Sequence, residues 1–278
     1  MPCRIAKGSE IRKIAQRLRH KTNPEPWKGE GKLIILHCES IPNLRDLGNT
    51  VTADGRRIRK DCLLRSAHLG NASEEDIRYL QREHRLRTVI DLRTGGEREE
   101  EPDRAGSCLV LNIPIIESFE AGITHESTTE NMPFPDLATL YRKIVQDKGC
   151  QMGFRKVLRA CIENDYESGS VLWHCSEGKD RCGLTAALLL EALGVEKDKI
   201  MEDYLETNTT NIPKAEKIRD REMQQSGDAV RAQCLYQAYV VDERYLKNAW
   251  DAMGEHYLTR CLGFSDEDLQ RFRDKVLE

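Results

Sequence analysis

The stretch VLWHCSEGKDRCG, residues Val171–Gly183, reads as a strand, a loop and the start of a helix. Ser170–His174 is short and apolar, as a buried strand is. Gly183–Leu193 (GLTAALLLEAL) is apolar nearly all round and predicts a central buried helix ending at Gly194. Open α/β sheets hold ligands at the carboxyl ends of their strands. The helix behind such a loop presents unpaired N–H groups and a positive partial charge. Ser176–Arg181 would therefore curl its amides around one tetrahedral anion, with Gly178 relieving the crowding. Arg181 would close the cradle with a two-pronged hydrogen bond. The same field pulls the Cys175 thiol below its ordinary range near pH 8.5. On this reading Cys175 attacks a phosphoryl group and Arg181 holds it, while Ser176, Glu177, Gly178, Lys179 and Cys182 complete the binding loop. His174 either hydrogen-bonds the loop backbone and holds its shape or is a plain buried histidine. A Walker-type phosphate loop does not fit, because Gly178-Lys179 is followed by Asp180 rather than Ser or Thr. A strand-end thiol beside a surface arginine would leave the clustering of His174, Gly178, Lys179, Arg181 and Gly183 without a reason.

Outward from this segment, strands alternate with helices. Leu33–His37 and Arg56–Leu64 read as strands, the second after a turn at Gly55. Ser73 with Glu74, Glu75 and Asp76 opens a helix, with Ile77, Leu80 and Leu86 on its inner face. Thr88–Leu92 and Leu109–Ile116 are strands, Phe119–Pro135 a mobile loop, and Asp136–Asp147 and Met152–Asn164 helices. From Lys197 the chain is mostly helical, with breaks at Pro213 and Ser226-Gly227 and a last helix capped by Ser265. The pattern predicts an α/β fold with a mainly parallel central sheet flanked by helices and a helical C-terminal part.

The 278 residues carry a net charge of −4, which argues against nucleic acid as a partner. No apolar run approaches the roughly 20 residues that cross a bilayer. The ten cysteines are scattered, with no CxxC pair and no zinc-type spacing. They fit a reducing compartment, so a cytoplasmic location is expected. Residues 1–32 are basic, nine Lys/Arg against three Glu, and form an N-terminal extension to a domain over 33–278. That extension lacks the apolar core of a signal peptide. It reads as a solvated helical extension, with a transit peptide, or a helix making weak contact with an anionic membrane surface or a partner, as the alternatives.

HCSEGKDRCG (His174–Gly183) closely resembles the His-Cys-x-x-Gly-Lys-Asp-Arg-Thr-Gly signature of the bacterial and fungal tyrosine-phosphatase-like family, within the protein-tyrosine-phosphatase superfamily. IPNLRDLGN (Ile41–Asn49), ADGRRIRKDCLLRSAHL (Ala53–Leu69), TVIDLRTGGERE (Thr88–Glu99) and EDYLETN (Glu202–Asn208) resemble further motifs of that family, in its order. LGFSDEDL (Leu262–Leu269) resembles its closing helix. The resemblance implies a cysteine phosphatase fold and a phosphocysteine intermediate, with no metal and no cofactor. Phosphotyrosine proteins and phosphoinositides or inositol phosphates are its implied substrates. A phosphate-binding module with little turnover is the alternative, and the oligomeric state is open.

The leaving group needs a proton. Asp180 is the first candidate, by resemblance to the loop aspartate of mycobacterial-type members; it would otherwise pair with Arg181 or Lys179. Asp91, at the end of a strand, is the second; it would otherwise pair with Arg93 or Arg45. Asp46 and Asp136 are weaker. Lys179 reads as a second cation suited to phosphoinositides, or as a partner of Asp180 or Glu177. Arg45, Asp46, Arg65 and Arg93 are candidate scaffold around the loop, Arg65 as a structural salt bridge. Two positions depart from the family. Cys182 stands where Thr or Ser is usual and is a weaker donor to the thiolate. It also raises the prospect of a disulfide with oxidised Cys175. Asn49 replaces a glycine, in a turn that would tolerate positive φ.

Overall fold

The computed structural model describes residues 34–116 and 136–278. Six strands form one sheet: β1 (Ile34–Ile35), β2 (Arg45–Asp46), β3 (Leu63–Ser66), β4 (Leu86–Asp91), β5 (Leu109–Asn112) and β6 (Ser170–His174). Their order is β1-β2-β3-β6-β4-β5. The pairings β3–β6, β6–β4 and β4–β5 are parallel, and the two at the β1 edge are antiparallel. This is the mainly parallel α/β sheet that the alternating pattern predicts.

β6 shows why that sheet forms. Val171 and Trp173 join one apolar cluster, and Leu172 joins the cluster on the opposite face. All three are fully buried, as period-two alternation between two covered faces requires. Full burial of each such side chain stabilises by about 1.5–3 kcal/mol. The register sets Ser66 of β3 and Asp91 of β4 on either side of His174. Three parallel strands therefore end level, and Cys175 is the first residue beyond that edge.

Ten helices are described: α1 (Glu74–Glu83), α2 (Gly95–Glu100), α3 (Leu137–Gln146), α4 (Lys148–Glu163), α5 (Asp180–Ala192), α6 (Lys197–Ser226), α7 (Ala229–Tyr239), α8 (Glu243–Met253), α9 (Tyr257–Arg260) and α10 (Asp266–Val276). α5 is buried nearly all round, as its sequence predicts. Ser73 caps α1, and a Ser265–Asp268 capping box opens α10. None of the described helices is long and apolar enough to cross a membrane.

Several boundaries differ from expectation. Leu86 is not on α1: Arg85 takes a left-handed φ of 52°, ends that helix, and Leu86 begins β4. The strand expected over Arg56–Leu64 is interrupted at Asp61, whose φ is 56°, and its ordered part is Leu63–Ser66. Pro213 does not break α6. The side chains of Asn208 and Asn211 donate to the Val241 and Tyr239 carbonyls, so α6 is docked just ahead of the proline and packing overrides propensity. β2 and α2 have no counterpart in the sequence reading. Asn49 has φ 65°, in keeping with its place in a turn. The basic segment 1–32 and the whole Phe119–Pro135 loop lie outside the described residues.

Candidate active site

Cys175 follows β6 and α5 begins at Asp180, so the loop between strand edge and helix start is residues 175–179, and Asp180 and Arg181, read as loop from the sequence, lie on the first turn of the helix. No side chain caps α5. Four successive loop carbonyls are tied to surrounding structure. His174 Nδ1 lies 3.3 Å from the Cys175 carbonyl, and the His68 N–H donates to Ser176. Asn43 Nδ2 donates to the Glu177 and Gly178 carbonyls at 3.3 and 3.0 Å, and Arg65 donates to Gly178 at 2.8 Å. In a trans peptide the next N–H points opposite to the carbonyl. Fixing these four carbonyls outward therefore turns the amides of residues 176–179 away from the scaffold, as an anion cradle requires.

Gly178 has a structural reason to be glycine. Its φ is 66°, and a Cβ there would stand 2.6 Å from the Ser66 carbonyl oxygen. Beneath the loop, Asp203 on α6 accepts from Arg45 at 2.7 Å and from Arg65 at 2.6 Å, all three buried. Arg45 also reaches Asn43 and Thr207. Arg45 is thus loop-supporting through Asn43, and Arg65 both pairs with Asp203 and holds the loop directly.

A cavity of about 400 Å³ opens above the loop, lined among others by Cys175, Ser176, Glu177, Asp180 and Arg181. Cys175 is buried at its floor. Burial raises its pKa, but the Cys182 thiol hydrogen bond, the Arg181 charge and the Cys182 backbone N–H outweigh this and bring it to about 6. The Cys182 thiol is itself pushed far up by burial and by the thiolate it faces, so it stays a protonated donor. Cys182 thus stands beside Cys175 where the usual hydroxyl would, with its Sγ also 3.7 Å from the Ser66 carbonyl as a donor to it.

Arg181 is gripped by Glu97, its Nη1 and Nη2 donating to the two carboxylate oxygens at 2.6 and 2.7 Å. Glu97 is held in turn by the α2 capping box with Thr94 and accepts from the Ser176 hydroxyl. Burial raises the Glu97 pKa, yet Arg181 and Ser176 bring it down to about 2. Glu97 was not among the sequence candidates, although Thr94-x-x-Glu97 is a legible capping box.

The other candidates separate. Asp180 lines the cavity; its Oδ1 accepts from the Tyr141 hydroxyl at 2.6 Å and lies 3.4 Å from Lys179 Nζ. Asp91 is buried, accepts from the Arg93 backbone N–H and guanidinium, and does not line the cavity. Arg93 also bridges to Asp103, which lies 2.8 Å from His174 Nε2. Asp91, Asp103 and His174 are close enough to hold a cation, and the Arg93 guanidinium already lies on both carboxylates. Asp46 supports a different turn, accepting from the Gly48 and Asp61 N–H groups; burial raises its pKa to about 6. Asp136 caps α3 at the surface. Lys179 is fully buried, with Nζ donating to the Ala238 carbonyl at 2.6 Å, and it is not part of the cavity wall. Glu177 pairs with Lys214 of α6, which joins the cavity rim with Tyr239 of α7.

The motifs around this site match a sequence profile described as the tyrosine phosphatase family over residues 36–278. The chain belongs to that family. Among its relatives is a Cupriavidus necator protein described as a candidate tyrosine-protein phosphatase, 32% identical over 63% of this chain and 64% of the relative. The triple specificity protein phosphatase PtpB of Mycobacterium tuberculosis is 29% identical over 60% of this chain and 66% of its own. A Nostoc commune tyrosine-protein phosphatase is 32% identical over 53% of this chain and 48% of its own. The chain thus spans less than two thirds of each of these relatives. The solved structure of TpbA from P. aeruginosa aligns over 79% of this chain and 98% of its own, at a TM-score of 0.34 and 19% identity, a likeness too slight to bear on the site.

Proposed function

We propose that this chain hydrolyses phosphotyrosine through a phosphocysteine intermediate. The observation that carries this is Cys175, the first residue past β6, lining one cavity with Ser176, Asp180 and Arg181; the surrounding donors and the Arg181 charge bring its pKa down to about 6. Near neutral pH Cys175 is a thiolate. Its sulfur attacks phosphorus, forming the S–P bond as the P–O bond to the phenol breaks. Asp180 gives its proton to the departing oxygen. Water then attacks the phosphocysteine, Asp180 takes the water's proton, and the sulfur leaves as a thiolate stabilised by the Cys182 donor. The amides of the loop and Arg181 bear the negative charge on the phosphoryl oxygens throughout. Chain groups handle each charge and proton, so the scheme calls on no metal.

A phosphotyrosine protein fits better than a phosphoinositide. The sequence argument for inositol phosphates rested on Lys179, whose ammonium is turned to the Ala238 carbonyl instead. Five carboxylates, Glu97, Glu100, Glu101, Glu177 and Asp180, line the cavity against Arg93, Arg181 and Lys214, and Glu97 and Glu177 already take up Arg181 and Lys214, a poor setting for additional phosphates. PtpB is named for triple specificity, so the test includes both kinds of ester. The 278-residue chain should release phosphate from phosphotyrosine peptides with the highest kcat/KM in a panel that includes phosphoserine peptides and each phosphoinositide. Cys175→Ser should abolish it. Binding of phosphopeptide without release by the unaltered chain would establish the non-catalytic binding module instead.

A further inference from the structure

We propose that Tyr141 and Tyr204 form a buried hydroxyl chain that positions Asp180 for proton transfer, with Tyr141 the positioning residue in contact with the acid. This rests on the reading of Asp180 as the proton donor.

The chain has a direction. The Tyr204 hydroxyl donates to Tyr141 at 2.9 Å, and Tyr141 donates to Asp180 Oδ1 at 2.6 Å. Burial and the nearby Asp180 charge hold the Tyr141 proton far above its ordinary pKa, so the group remains a neutral donor. Lys179 Nζ lies nearest the same oxygen, Oδ1. With Oδ1 engaged from the protein side, Oδ2 is the oxygen on which a transferable proton can sit. Among the described residues, Cys175 and Tyr245, whose ring tilts against Tyr141, also feel the charge of this carboxyl, and Arg181 follows it on the helix and lines the same cavity.

Sequence features that otherwise look unrelated meet here. Gly183 leaves room for Tyr204: a Cβ there would be 2.9 Å from two of its ring carbons. Asp203, one residue earlier on α6, anchors Arg45 and Arg65 beneath the loop. Consecutive residues of one helix thus fix the phosphate loop and the acid, through separate contacts. A tyrosine on an aspartate is a neutral donor that orients without adding a charge, whereas an arginine would pin the carboxylate as an ion pair.

The test compares phenyl phosphate, whose phenolate needs a proton to leave, with p-nitrophenyl phosphate, whose leaving group does not. In the 278-residue chain Tyr141→Phe should lower kcat/KM for phenyl phosphate by about tenfold and for p-nitrophenyl phosphate by less than about threefold, with KM unchanged. Asp180→Asn should show the same substrate dependence with a larger factor. Equal losses on both substrates in Tyr141→Phe, or no loss on either, while Asp180→Asn discriminates between them, would overturn the hydroxyl chain and leave the acid assignment standing. An Asp180→Asn variant that spares both substrates would remove the acid assignment, and this inference with it. If Tyr141→Phe does not fold, Tyr204→Phe provides the reading: a selective loss of about threefold on phenyl phosphate supports the chain, and equal rates on both substrates overturn it.

Discussion

Two aspartates flank the phosphate loop, and their surroundings differ in kind. At the end of β4, Asp91 is closed in by Arg93, whose guanidinium also reaches Asp103, with His174 beyond. At the start of α5, Asp180 opens on the cavity and takes its main hydrogen bond from a neutral tyrosine, with the Lys179 ammonium 3.4 Å from the same oxygen. Sequence gave both the same look, an acid at a strand or helix end beside arginines. The partner makes the difference. A buried guanidinium is permanently charged and makes its carboxylate part of the frame. A buried phenol orients a carboxyl and leaves its other oxygen for chemistry.

The comparison breaks or holds on a pair of variants. Asp180→Asn should reduce kcat/KM for phenyl phosphate by about 100- to 1,000-fold, while chemical denaturation shows stability changed by no more than about 1 kcal/mol. Asp91→Asn should do the reverse. It leaves Arg93 buried with one carboxylate fewer, costs about 3 kcal/mol in the same denaturation experiment, and leaves the ratio of phenyl to p-nitrophenyl phosphate rates unchanged. If Asp91→Asn were the variant that discriminated by leaving group, the roles of the two regions would have to be exchanged.

A smaller effect at the loop floor sharpens the same point, because there too the partner sets the chemistry. Cys175 titrates near pH 6 with the help of the Cys182 thiol. A donor to a thiolate favours the charged form, so removing it raises the pKa. Cys182→Ala should therefore shift the pH dependence of Cys175 alkylation by iodoacetamide upward by about one unit. Cys182→Ser, with a better donor, should shift it downward by less.

The parts of the site legible in the sequence are the local ones. Strand, loop and helix around Cys175 follow from an apolar run, a glycine and a helix start within thirteen residues; the strand falls where that pattern predicts, and the helix begins at Asp180, three residues ahead of Gly183. The Lys179 role did not follow, because one residue's rotation at the top of α5 decides whether its ammonium enters the cavity or reaches the Ala238 carbonyl. Asn43, Glu97, Tyr141 and Asp203 act across 134, 84, 39 and 138 or more residues of sequence, and no local spacing announces such contacts. Glu97 is the partial exception, since its capping box with Thr94 could be read, but its grip on Arg181 could not. Pro213 was misread for the same reason: the packing that keeps α6 continuous comes from the chain near Tyr239 and Val241.

The central claim is that Cys175 becomes covalently phosphorylated. The most direct measurement is rapid acid quench of Asp180→Asn during turnover of p-nitrophenyl phosphate, followed by peptide mass spectrometry. That substrate needs no acid to leave, while hydrolysis of the intermediate lacks its base, so a single phosphate should accumulate on the peptide bearing Cys175. Phosphate found on another residue, or on none while p-nitrophenol is still released catalytically, would contradict the account.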